Sequence, residues 1–236
     1  MTRLAAITDL DAYVATRTSW HTLAEHILTK ARWAQTTKIG LRVADGGFGT
    51  PSFGDDLRVF VNRDGIHRVQ FGETTSAPIS TVRAAAEFLQ IDAGAPADVF
   101  VPSNPCDLNR SLVIDAVATQ VLGDWFAFGN DVLSALRTAH DHESPSLVQL
   151  WPEHFDVAVD FGNAAAGTRA NFGVSPGDAA IPMPYIYVGP WDMNSKGDDP
   201  FWNQPWGAAL TCDALCAAPD PVAAASSFYE HGATRL

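Results

Sequence analysis

Hydrophobic positions change their period several times along the chain, and each change marks an element. Residues 9–35 carry an apolar stripe through Leu23, Ile27 and Leu28, which reads as a helix pair or one broken helix, with Ser19 or Thr18 as cap of the second part. The spacing then tightens to two. Segments 38–43 (KIGLRV), 57–62 (LRVFVN) and 67–71 (HRVQF) read as strands, the last two joined in a hairpin at Arg63-Asp64-Gly65. Helical spacing returns at 79–90, with Ser80 as cap, and again over 108–139, the longest such pattern, interrupted near Gly123 or Gly129. Segments 155–161 (FDVAVDF), 169–174 (RANFGV) and 185–189 (YIYVG) alternate as strands, the first two linked through a Gly/Ala loop as an antiparallel pair. Helices around 211–217 and 220–231 close the chain.

Helix, strands, helices, strands, helices is the order of an α+β fold, mainly antiparallel sheet with packed helices. A single domain over 1–236 is the expectation, with a weak boundary near 140–148 as the alternative. The chain is 47% hydrophobic and 18% charged, enough for a sizeable core. Its net charge of -12 and lack of a basic run argue against a nucleic-acid or anionic-membrane partner. No apolar stretch of spanning length occurs, and the first residues lack the apolar core of a secretory signal. Three cysteines in a Cys-poor chain suit a reducing cytoplasm.

Chemistry concentrates between Trp151 and Trp206, which holds four of the seven Trp residues. On the strand 154–161, His154, Asp156, Ala158 and Asp160 face one side, and Phe155, Val157, Val159 and Phe161 the other. Pairing with 169–174 adds Arg169 and Asn171 to the polar side. Such groups could divide into acid, base and anion clamp: His154 as acid or base, Asp156 or Asp160 beside it, Arg169 as clamp. Asn171, Tyr185, Tyr187, Trp191, Trp202 and Trp206 would line the ligand, the indoles excluding water. The plainer reading is a wet sheet face with charge pairs across the strands.

Other runs are weaker. Residues 192–203 imitate a calcium loop but place Lys196 where an oxygen belongs and Asn203 where Glu belongs. His21 and Glu25 share a helix face, but His26 falls five residues after His21, so an α-helix does not converge the imidazoles on zinc. His140, His142 and Glu143 suit a helix C-terminus. The Gly-rich 45–54 run precedes a strand, not a helix, and reads as a long turn or as a flap with Phe48 and Phe53 as lid residues. Asp178 in SPGD caps its own turn or reaches a ligand. Cys212 and Cys216 are core residues or a weak redox pair.

The runs LWPEHFD (150–156), NFGVSPGD (171–178), PYIYVGPW (184–191) and FWNQPWGA (201–208), with WHTLAEHIL (20–28) and GLRVADGGFGTP (40–51), resemble a family of soluble actinobacterial proteins to which no activity is assigned. The resemblance covers most of the chain and brings no activity, so the cofactor stays unknown. A fainter likeness exists to the helix-plus-sheet layout of mycothiol-dependent isomerases. Their metal-binding histidines have no residue-by-residue counterpart here, so neither metal nor thiol cofactor carries over. Two functions remain: a small-molecule enzyme working by acid–base chemistry on the polar strand face, or a non-catalytic binding or carrier protein. Self-association through the Trp/Pro loops stays open.

Overall fold

The computed structural model describes residue 4, residues 6–196 and residues 199–236. The fold is α+β, with two five-stranded antiparallel sheets and packed helices. The chain forms two compact units. The first is Met1–Ala127 with Leu150–Phe155, and the second is Phe128–Gln149 with Asp156–Leu236.

In the first unit, α1 (Leu10–Leu23) starts at Asp9, whose carboxylate accepts from Ala12 N at 3.0 Å. It runs through a π-helical turn (Ala24–Leu28) into α2 (Thr29–Thr36). The expected break at Thr18 or Ser19 does not occur. Thr18 Oγ1 donates back to Val14 O at 2.8 Å and Ser19 Oγ to Ala15 O at 3.0 Å, so both stay inside the helix. Ser19 Oγ also accepts from Val113 N at 2.8 Å, and Thr16 Oγ1 from Asp115 N at 3.0 Å.

The first sheet is a meander of β1 (Arg42–Ala44), β2 (Gly47–Gly49), β3 (Arg58–Asn62), β4 (Gly65–Gln70) and β5 (Glu73–Ala77) in sequence order. The β3–β4 hairpin turns at Arg63-Asp64, as its residues predict. The Gly-rich run is neither flap nor plain turn: β2 lies buried in the sheet. A Cβ at Gly47 would sit 2.0 Å from Val61 O, so only glycine fits there. Phe48 and Phe53 are core residues, not lids. Phe48 meets Trp20, Phe126 and Phe155 edge-on at 5.6, 6.4 and 5.2 Å between centroids.

Helix α3 (Val82–Leu89) is capped by Thr81, one residue after the expected Ser80. Helix α4 (Ala116–Ala139) starts eight residues later than its pattern suggests and is unbroken at Gly123 and Gly129. Asp115 caps it, accepting from Val117 N at 2.9 Å and Ala118 N at 2.8 Å. The chain passes from the first unit to the second within this helix.

The second sheet is ordered β10-β9-β8-β7-β6, where β6 is Gln149–Trp151, β7 Asp156–Phe161, β8 Ala170–Ser175, β9 Tyr185–Pro190 and β10 Ala208–Thr211. Helices α5 (Cys212–Ala217) and α6 (Pro221–Ala233) follow. One face, with Val157, Val159, Phe161, Phe172, Val174, Ile186 and Val188, is buried throughout. Tyr229 of α6 packs on Phe172 and donates to Gly173 O at 2.9 Å. Gly232 leaves room for Val188, and Gly129 of α4 for Val174. Among the described residues, no helix is long and apolar enough to cross a membrane.

Candidate functional site

The opposite face of the second sheet gathers most of the side chains the sequence points to. Directly paired residues in an antiparallel ladder share a face. Asp160 pairs with Asn171 and Asn171 with Gly189. Ala158 pairs with Gly173, Gly173 with Tyr187, and Tyr187 with Ala209. Ser175 pairs with Tyr185. Asp156, Asp160, Asn171, Tyr185 and Tyr187 therefore lie on one surface.

At one end Tyr187 lies across Gly173, where a Cβ would come within 2.5 Å of the ring. Its hydroxyl donates to Asp156 Oδ2. Tyr185 donates to Asp178 Oδ2 at 2.6 Å. Asp178 Oδ1 accepts from Ala180 N at 2.7 Å and Ile181 N at 2.8 Å, so this carboxylate builds its turn and also reaches the sheet face. Burial, then the adjacent carboxylate, pushes both phenols well above their usual pKa. They remain protonated donors and cannot serve as bases near neutrality.

Trp206 completes this corner. Its ring centroid is 6.0 Å from Tyr185 and 5.9 Å from Tyr187, and the tyrosines are 6.2 Å apart. The loop carrying it is strapped to β10 by Asn203, which donates to Ala209 O and accepts from Ala209 N, both at 2.9 Å. Asn203 is thus a positioning residue, not the end of a calcium loop. Asp192 holds Asn194 N at 2.9 Å, and Asp199 holds Phe201 N and Arg235. Gly197 and Asp198 of the calcium-like run lie outside the described residues.

At the other end Arg169 is consumed by its neighbours. Nε donates to Asp160 Oδ1 at 2.7 Å and one terminal nitrogen to Gly162 O at 3.0 Å. The guanidinium lies 5.1 Å from the centroid of Trp191, whose Nε1 donates to Asn171 Oδ1 at 2.9 Å. Trp191 is 57% exposed. Trp202 packs edge-on against Phe201, which meets Phe228 of α6.

His154 does not join the strand face. Phe155 adopts a left-handed backbone, φ 55°, which ends the alternation, and β7 begins at Asp156. His154 is exposed in the preceding turn. The sequence did not reveal this, because FDVAVDF alternates cleanly through the residue where the backbone turns away. Reading missed Gly173, Ser175 and Asn203, although the two-residue period and the SPGD turn place the first two beside the tyrosines.

The buried ionisable groups of the first unit serve its own loops. His21 Nε2 donates to Pro152 O at 2.8 Å, and its ring stacks on Phe155 at 5.0 Å. Burial lowers its pKa to about 4. Glu25, 3.3 Å from His21, accepts from Ser103 N, from Asn104 N at 3.1 Å and from Asn104 Nδ2 at 2.9 Å. Burial raises its pKa, against those hydrogen bonds. His26 accepts from Ala95 N at Nδ1 and contacts Asn104 O through Nε2, which fixes the tautomer. Among the described residues, no three or more His, Cys, Asp or Glu side chains are grouped to hold a metal ion. Cys212 and Cys216 have sulfurs 3.6 Å apart, but burial, then the second thiol, pushes Cys212 up to about 12, far from a thiolate nucleophile.

Compared with models of known families, with curated proteins and with solved structures, the chain matches none.

Proposed function

We propose that the polar face of the second sheet binds a small molecule without chemically transforming it. The observation that carries this is the aromatic corner of Tyr185, Tyr187 and Trp206, three rings about 6 Å apart, with Trp206 still 37% exposed. Large amphipathic rings give contact area at little entropic cost. The acid–base reading finds less support. Arg169 is engaged by Asp160, both phenols are held by carboxylates, and His154 stands off the face. Among the described residues, the two phenols beside the rings stay protonated near neutrality, and the Arg169 guanidinium is already occupied by Asp160 and Gly162.

The same reading keeps the chain in the cytoplasm, in line with its few cysteines, and away from nucleic acid, in line with its charge of -12. Membership of the actinobacterial family that its motifs resemble belongs to this proposal. The test is a small-molecule library screened by thermal shift and tryptophan fluorescence. Ligands that raise the Tm of the parent should bind Trp206→Ala about tenfold more weakly or worse, and His154→Ala like the parent. A ligand turned over by the parent but not by His154→Ala would overturn the proposal in favour of an enzyme.

A further inference from the structure

The geometry points to a separate activity in the first unit: Ser76 is an activated nucleophile that cleaves activated esters, with His67 as its general base. None of the residues of the aromatic corner takes part. The side chains that carry it lie on the outward face of the first sheet, opposite buried Val59, Val61 and Ile66. His67 on β4 pairs with Phe60 on one side and with Ser76 on the other. Ser76 Oγ lies 2.7 Å from His67 Nδ1, and Asn62 Oδ1 lies 2.9 Å from His67 Nε2. The same Asn62 atom accepts from Asp64 N at 2.9 Å, so it is the amide oxygen and not the nitrogen. His67 must therefore donate to it from Nε2, which leaves Nδ1 to accept the proton of the Ser76 hydroxyl. Nucleophile, base and a group that orients the base stand within hydrogen-bond reach, in the order that acyl transfer needs.

The surroundings suit this chemistry. The His67 ring is stacked on Phe60, 4.4 Å between centroids and 10° between planes, which holds its orientation. Partial burial lowers its pKa, against the charge of Asp64, so the imidazole is neutral near neutrality and free to take a proton. Strand β5 is the last of its sheet among the described residues. Its hairpin closes on the pair Gln70 and Glu73 through Phe71-Gly72, at φ 51° and 81°, the two-residue loop of a type I′ turn. Alternating from that hydrogen-bonded pair, His67 and Ser76 form a non-hydrogen-bonded pair, which brings their side chains close and turns the Ser76 N–H outward at the sheet edge. A serine nucleophile's own N–H serves as an oxyanion donor in acyl transfer. In the reaction, Ser76 Oγ attacks the ester carbonyl carbon while its proton passes to His67 Nδ1. The C–O bond to the leaving group breaks, and Nδ1–H protonates the leaving oxygen. Water then attacks the acyl-serine, giving its proton to Nδ1. The C–Oγ bond breaks, Oγ recovers that proton, and the carboxylic acid departs. A neutral amide as orienting group and a face open to water favour esters with stabilised leaving groups over peptides.

The experiment treats the full chain with p-nitrophenyl acetate and, separately, with a fluorophosphonate, and reads the products by intact mass and peptide mapping. One acetyl or phosphonyl group should appear, mapped to Ser76, and Ser76→Ala should lose that added mass. Ser76 is exposed, so this variant tests the site without disturbing the core. His67→Gln should label about 100-fold more slowly or worse, the contribution of a general base. Asn62→Ala should label about tenfold more slowly or worse, because the tautomer is no longer held. Asn62→Asp keeps an oxygen for both Asp64 N and His67 Nε2 and should restore most of the rate, which a merely structural role would not require. Absence of label on Ser76 overturns the proposal. So does labelling of Ser76 that His67→Gln leaves unchanged, since the three side chains are then only a hydrogen-bonded ladder across the hairpins. A loss in Asn62→Ala that Asn62→Asp fails to restore overturns the orienting role of Asn62.

Discussion

Glu25 shows how one side chain can be indispensable without being catalytic. It is fully buried on the π-helical turn, and its carboxylate receives two backbone N–H groups and one side-chain amide from residues 103–104. Truncation removes the acceptor of all three donors and leaves a cavity at a fully buried position. Glu25→Ala should cost about 3 kcal/mol in urea denaturation. Glu25→Gln, which keeps one acceptor oxygen, should cost about 1–2 kcal/mol. A Glu25→Ala chain within about 0.5 kcal/mol of the parent would show that the clasp does not hold the loop. From sequence, His21, Glu25 and His26 invited a metal reading, and α-helical angles argued against it. What could not be read is that a π-turn would aim Glu25 and His26 at the 94–104 backbone. That depends on where a distant loop docks.

Helix α4 extends the same lesson to elements. Its two internal glycines predict a break, yet the helix is continuous because glycine is used there for close approach. A Cβ at Gly123 would lie 2.8 Å from the carbonyl carbon and oxygen of Gly46, main-chain atoms that cannot swing aside. Helix propensity favours Ala over Gly by about 1 kcal/mol. Overpacking against backbone costs about 1–3 kcal/mol. Gly123→Ala should therefore lower Tm despite its better propensity, and a rise in Tm would show that the contact is loose. Elements whose sequence carries the period were legible: β3–β4, β7 to β9, α5 and α6. Strands β2 (GFG) and β5 (ETTSA) were not, because glycine and polar residues carry no hydrophobic alternation. At the site, period placed Asp156, Asp160 and Asn171 on one face, whereas Tyr185 and Tyr187 join it through the β8–β9 register, which no period sets. His154 was misplaced because nothing in the letters marks Phe155 as left-handed.

At the scale of the whole molecule, two histidines should give stability opposite slopes with pH. In the first unit, burial lowers His21 to about 4, against about 6.5 in the unfolded chain. Between those values the unfolded chain takes up a proton that the folded one refuses. His21's contribution is thus complete above pH 6.5 and is lost as pH falls toward 4, up to about 3 kcal/mol. Glu25 beside it has a raised pKa, which acts in the other direction as it titrates, so the net acid slope is shallower than His21 alone would give. In the second unit, burial works to lower His140, but hydrogen bonds and charge from Glu143 and Glu230, with His142 stacked nearby, outweigh it and the pKa is raised. That contribution is complete below pH 6.5 and is lost as pH rises through the folded value. Tm should therefore peak near pH 6.5. His21→Gln should flatten the acid side selectively, and His140→Gln the side above the peak. The measurement is Tm against pH from 4 to 9 for the three chains. If His21→Gln loses as much Tm between pH 6.5 and 4 as the parent does, the acid limb belongs to the carboxylates and not to the buried imidazole.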